Sequence, residues 1–127
     1  MDKREAVTTA QKYVDTVSKK YQLAQAFVFG SYAKGNYHAD SDIDVAVVLK
    51  NVTNLFDAQI DLLHMRRNED LLIEPHTFRD TDFNPNDPLV YEILQAGLKL
   101  KIATPTIKAT STLDNSKYDD ATVTLTN

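Results

Sequence analysis

The spacing of hydrophobic positions changes several times along the chain. Over residues 3 to 20, Val7, Ala10, Val14 and Val17 recur at intervals of three and four, with lysine, aspartate and glutamine between them. That is one apolar stripe on a helix. Ala26-Phe27-Val28-Phe29 is rich in strand formers and stops at Gly30, where a backbone without Cβ is useful. Ser31 to Lys34 begins a short helix with Ser31 at or near its N-cap, and Gly35-Asn36 ends it. Ile43 to Leu49 is almost wholly apolar, the pattern of a strand covered on both faces.

Thr53 or Asn54 caps the next helix, predicted over residues 55 to 67 with Phe56, Ile60 and Leu63 as its buried stripe. His64, Arg66 and Arg67 suit the negative end of its dipole. Leu71 to Phe78 reads as a third strand, and Pro75, which has no N–H, belongs at a sheet edge or a bulge. After the loop RDTDFNPN, Asp87-Pro88 supplies the N-cap and first turn of a helix that ends before Gly97. The order helix, strand, helical turn, strand, helix, strand, helix predicts an α/β (α+β) domain, a small mixed sheet with flanking helices.

A chain of 127 residues suggests one compact domain, placed here at residues 1 to 103. Residues 104 to 127 are threonine-rich and lack helical periodicity. They read as a flexible tail, or, through Thr122 to Thr126, as a strand added to a sheet edge or a partner. A net charge of −4 is the reverse of what phosphate backbones attract, which disfavours long nucleic acid as the substrate. There is no cysteine, which removes disulfides and thiolate metal sites, and no apolar run long enough to span a bilayer. A soluble, cytoplasmic protein is expected.

Asp42 and Asp44 stand at the mouth of the apolar strand Ile43 to Leu49. Residues two apart on a strand share a face, with Cα atoms about 6.6 Å apart. Two carboxylates so placed repel each other unless a cation lies between them, and Mg²⁺ prefers such hard oxygen ligands together with substrate phosphates. Gly30-Ser31, at the end of the neighbouring strand, offers N–H groups and a hydroxyl to an anionic phosphate. Ten residues separate Ser31 from Asp42, enough for a helical turn and a returning loop.

The pattern G-S, ten residues, D-x-D resembles the signature of the nucleotidyltransferase superfamily related to DNA polymerase beta. GSYAKG resembles its minimal nucleotidyltransferase (MNT) group in particular, over residues 5 to 100. The resemblance implies that Gly30 and Ser31 hold the triphosphate and that Asp42 and Asp44 ligate magnesium. Glu74 in LLIEPHTF is the match for the family's third carboxylate, where many relatives have aspartate. It would ligate metal and position or deprotonate the attacking hydroxyl. The resemblance further implies transfer of AMP from ATP to a hydroxyl, that of a tyrosine, on a helical HEPN-type toxin, with this chain as the antitoxin. The rival readings are a nucleotidyltransferase for a small antibiotic-like molecule, an antitoxin that acts by binding alone, and an RNA-tailing enzyme.

Each residue also has a plain structural reading. Gly30-Ser31 serves as a helix cap, Asp42 and Asp44 as a solvated turn with Asp40-Ser41, and Glu74 as an edge-strand acid. Lys34, one helical turn from Ser31, either approaches the phosphates or is simply exposed. His76 shares a face with Glu74 and contacts substrate or packs. Tyr32 and Tyr37 stack on a base or on the loop.

Overall fold

The computed structural model describes residues 1–102. The reading of residues 104 to 127 as a tail therefore lies outside the described residues. The first helix, α1, spans Lys3–Val17. It opens on a reciprocal cap in which Glu5 N–H donates to Asp2 Oδ1 at 2.8 Å and Asp2 N–H donates to Glu5 Oε1 at 2.9 Å. Its buried face is Ala6, Ala10, Tyr13, Val14 and Val17, in which two alanines let the helix lie close to the sheet.

Four strands follow: β1 (Leu23–Phe29), β2 (Ile43–Leu49), β3 (Ile73–Arg79) and the two-residue β4 (Leu98–Lys99). They lie in the order β3-β2-β1-β4. β1 runs antiparallel to β2 and to β4, whereas β2 and β3 are parallel. A parallel pair needs a crossover, and helix α3 (Leu55–His64) supplies it. The four-residue helix α2 (Ser31–Lys34) follows β1, and α4 (Pro88–Ala96) leads into β4.

Both faces of the sheet are covered, as the apolar β2 requires. Ile43, Val45, Val47, Val28 and Ile73 face α1 and α3 in the larger core. Phe27, Phe29 and Ala46 face the other way, against Ile93 of α4 and the partly buried Phe78 and Phe83. Phe83 stacks on Phe27 with centroids 5.8 Å apart and meets Phe78 edge-on at 5.2 Å. Because side chains alternate along a strand, Asp44 shares this second face with Ala46, and Glu74 and His76 share it with Phe78.

Glutamine side chains pair with backbone at two sides of the fold. Gln59 Nε2 donates to Pro75 O at 2.8 Å and its Oε1 accepts from Thr77 N at 3.1 Å, which satisfies outward groups of the edge strand β3. Pro75 thus sits at an edge, as its missing N–H demanded. Just past β4, Gln11 does the same for both backbone groups of Lys101. Among the described residues, no helix is long and apolar enough to cross a membrane.

The structure departs from the sequence expectations, or adds to them, at three points. The helix predicted over residues 55 to 67 stops at His64, and its buried residues are Ala58 and Leu62, whereas Phe56 and Ile60 are exposed. The two stripes are neighbouring sets of the same period, so sequence alone does not choose between them. Long-range contacts do: Gln59 must reach the β3 edge, and Tyr13 Oη donates to Leu62 O at 2.5 Å. Secondly, Arg66 and Arg67 lie beyond the helix. Arg66 donates to Leu63 O and Ile73 O, and Arg67 forks onto the fully buried Asp70 at 2.7 and 2.8 Å. Thirdly, β4 carries too few residues to show a period, yet it pairs with Phe27 and Val28.

Candidate active site at the ends of β1, β2 and β3

Parallel pairing of β2 with β3 places Asp44 opposite Glu74 and Ala46 opposite His76. One oxygen of Asp44, one of Glu74 and one ring nitrogen of His76 lie within 4.8 Å of one another. His76 Nε2 is 3.1 Å from Asp44 Oδ1, and the imidazole stands edge-on to Phe29 with centroids 5.0 Å apart. Sharing a face with Glu74 was the only sequence signal for His76. Its contact with Asp44 depends on the register between two strands.

Gly30 ends β1 with φ of +73°, a conformation that side chains other than glycine's rarely adopt, and it caps α2. Its Cα faces Asp44 so closely that a Cβ would stand 2.3 Å from Asp44 Oδ2. The N-cap is therefore Gly30, with Ser31 as the first helical residue. Gly35, in the left-handed region, closes the turn by donating its N–H to Ser31 O at 2.9 Å.

The loop then returns to β2 through a tight turn. Ser41 is buried, its Oγ accepts from His38 N at 2.8 Å, and its own N–H donates to His38 O at 3.0 Å. This fixes the chain just before Asp42. A cavity of about 420 Å³ opens here, lined by Ser31, Asn36, His38, Asp40, Ser41, Asp42 and Asp44. Asp42 is exposed on this cavity and lies outside the close cluster of Asp44, Glu74 and His76. Asn36 and His38 were not anticipated, because nothing in a loop sequence tells which side chains turn inward.

Other candidates lie elsewhere. Lys34 is not among the cavity-lining residues and pairs with Glu92 of α4 at 3.1 Å, both side chains nearly half exposed. Tyr32 is fully buried and stacks on Tyr37 with centroids 4.5 Å apart, so the loop-packing reading holds for this pair.

Residues 10–98 match the family described as nucleotidyltransferase domain. The chain belongs to that family. It is 31% identical over 80 residues to MJ0141 of Methanocaldococcus jannaschii, a protein assigned as a protein adenylyltransferase, a match covering 61% of this chain and 80% of that one. The fold resembles a crystal structure assigned as a nucleotidyltransferase from Sulfolobus solfataricus, with a TM-score of 0.57, 21% identity and coverage of 76% of this chain and 80% of that one. It also resembles a chain in a mutant of the toxin–antitoxin MntA-HpeT, with a TM-score of 0.51, 17% identity and coverage of 81% and 75%. The expected mixed α/β fold and the nucleotidyltransferase assignment are both borne out. The chain is thus an enzyme of the nucleotidyl-transfer class.

Proposed function

We propose that this nucleotidyltransferase moves AMP from ATP to a hydroxyl, that of a tyrosine, on a HEPN-type helical toxin and so acts as its antitoxin. The observation that carries the reading is the cavity beside Gly30: Asp40, Asp42 and Asp44 line it with Ser31, and among the described residues no lysine or arginine does. A triphosphate carries several negative charges, so it enters such a site only with cations. The donor set fits that need, because Asp42, Asp44 and Glu74 offer the hard oxygens that Mg²⁺ prefers. Bound Mg²⁺ supplies charge neutralisation of the phosphates and of the attacking and leaving oxygens.

The chain's own residues then have distinct tasks. Ser31 Oγ and the Gly30-Ser31 backbone hold phosphate oxygens, and Asp42 and Asp44 hold the cations. Glu74, exposed on β3 opposite Asp44, orients the acceptor hydroxyl and takes its proton. The acceptor oxygen bonds to the α-phosphorus as the bond to the bridging oxygen breaks, and pyrophosphate leaves. Lys34 joins the phosphates only by leaving Glu92, and an exposed pair of that kind is worth roughly 1 kcal/mol or less.

Two resemblances support a protein acceptor: that to MJ0141, assigned as a protein adenylyltransferase, and that to a toxin–antitoxin component. A cytoplasmic setting, which supplies ATP and Mg²⁺, goes with this reading. The test is the intact mass of a co-expressed helical partner after incubation with ATP and Mg²⁺. An AMP adduct on a tyrosine is expected. A partner left unmodified by active enzyme defeats the reading.

A further inference from the structure

We infer that His76 is a nitrogen ligand, and that Asp44, Glu74 and His76 form a mixed nitrogen–oxygen site that binds a first-row divalent ion in preference to Mg²⁺. This rests on the metal-dependent reading above and refines the ligand set.

The two ends of Asp44 face different surroundings. Its Oδ2 abuts the Cα of Gly30, beside the cavity that holds Asp42. Its Oδ1 faces His76 Nε2 at 3.1 Å, in the cluster with Glu74. One carboxylate therefore borders two positions of unlike chemistry. The position toward Asp42 offers the Asp42 and Asp44 carboxylates, hard donors that suit a magnesium ion carried in with the triphosphate, and the His38 imidazole on the same cavity wall forms no close cluster with them among the described residues. The position between β2 and β3 offers two carboxylates and an imidazole.

Imidazole distinguishes ions. Mg²⁺ takes oxygen and releases its waters reluctantly, whereas first-row transition ions accept imidazole readily. Asp44 and His76 are also held together before any ion arrives. His76 Nε2 meets Asp44 Oδ1 and its ring is packed edge-on against the buried Phe29, while the parallel ladder brings the exposed Glu74 opposite Asp44. Pre-positioned donors reduce the ordering cost of binding. The consequence is binding without nucleotide, whereas the Asp42 side fills only with it.

The probe is Mn²⁺, added to the full-length protein without nucleotide and followed by loss of the free-ion electron paramagnetic resonance signal, with Mg²⁺ as competitor. One saturable Mn²⁺ site is expected, at least about tenfold tighter than Mg²⁺, with nitrogen modulation in the electron spin echo. His76→Gln should weaken Mn²⁺ binding about 10- to 100-fold, the range seen when groups around a metal site are lost, and remove the modulation. Asp42→Asn should leave nucleotide-free binding within a few-fold. A wild-type echo without nitrogen modulation overturns the proposal, and this readout needs no variant to fold. Equal affinity for the two ions overturns it too, as does unchanged binding in His76→Gln. If adenylyl transfer with Mg²⁺ and ATP persists in any of these cases, only the role of His76 falls. Absence of both transfer and metal binding removes the functional reading as well.

Discussion

A side chain on Gly30 would occupy the space of the Asp44 carboxylate: its Cβ would stand 2.3 Å from Asp44 Oδ2. Glycine is needed here twice over, for the close approach and for φ of +73°. Gly30→Ala should therefore displace Asp44 as well as strain the turn, which costs about 1 to 3 kcal/mol for an L residue in the nearly glycine-only region around φ of 73° and ψ of −146°. A displacement of about 1 Å at a reacting centre lowers turnover on the order of 100-fold. The two effects separate in Gly30→Ala/Asp44→Ala, where thermal stability should partly recover while activity stays lost. Equal melting temperatures for the single and double variants would show that the collision is absent in solution.

Asp42, Asp44 and Ser31 should form a graded series. Asp42→Asn and Asp44→Asn each remove the charge of a proposed ligand but little packing, because Asp42 is exposed and Asp44 only partly buried. Transfer should fall about 100-fold or more with the fold unchanged, the scale of losing charge stabilisation in a transition state. Ser31→Ala leaves the backbone N–H groups in place and should raise KM for ATP several-fold, with a smaller loss of kcat. Wild-type transfer by either asparagine variant would remove the metal assignment, and an unaltered KM in Ser31→Ala would turn the hydroxyl away from the phosphates.

A surface cluster away from the site sets a pH dependence of stability. Lys20 Nζ lies 2.7 Å from Asp61 Oδ2, and Tyr21 Oη donates to the same oxygen at 2.6 Å. These contacts hold the Asp61 carboxyl below the usual range, and the hydrogen bond to Asp61 pushes the Tyr21 phenol up to about 12. A lowered carboxylate pKa stabilises the fold above the unfolded value near 4 and loses that contribution as pH falls through the folded value. A raised phenol pKa stabilises below about 10 and is lost as pH rises through the folded value. The stability difference between wild type and Asp61→Asn should be flat from about pH 5 to 9 and shrink at both extremes. Urea midpoints across pH measure it, and a constant difference down to pH 2 would contradict the pairing.

What was legible in the sequence is what local chemistry decides. The strand Ile43 to Leu49, the Asp87-Pro88 cap and the edge position of Pro75 each follow from a few adjacent residues, and the structure bears out all three. Asp42 and Asp44 were legible as candidates because G-S, ten residues, D-x-D lies within one strand–turn–strand unit. The rotation of α3, the short β4 and the contact of His76 with Asp44 depend on partners far away in the chain. Ala58 and Leu62 take the buried face that periodicity allowed Phe56 and Ile60 to claim. Leu62→Ala should therefore cost about 2 to 5 kcal/mol. Phe56→Ser, at a side chain 71% exposed, should stay within about 0.5 kcal/mol. Denaturant unfolding that ranked them the other way would restore the original stripe.

Glu74 separates catalysis from mere occlusion of a partner. It stands directly across the ladder from Asp44 and is exposed, so its side chain contributes little to the core. Glu74→Gln keeps size and hydrogen-bonding reach and removes only the charge. If Glu74 takes the acceptor proton and helps hold an ion, the variant should retain ATP binding and partner association while transfer falls about 100-fold or more. KM for ATP should change little if, as proposed, the phosphates are held from the Ser31 side of the cavity. An antitoxin working by occlusion makes the opposite demand, since the unchanged shape of Glu74→Gln would neutralise the toxin as well as wild type does. The decisive measurement pairs cell survival with the intact mass of the toxin. Survival at wild-type level without an adduct would defeat the catalytic reading. Lost survival with association preserved would tie the biological effect to the carboxylate's charge.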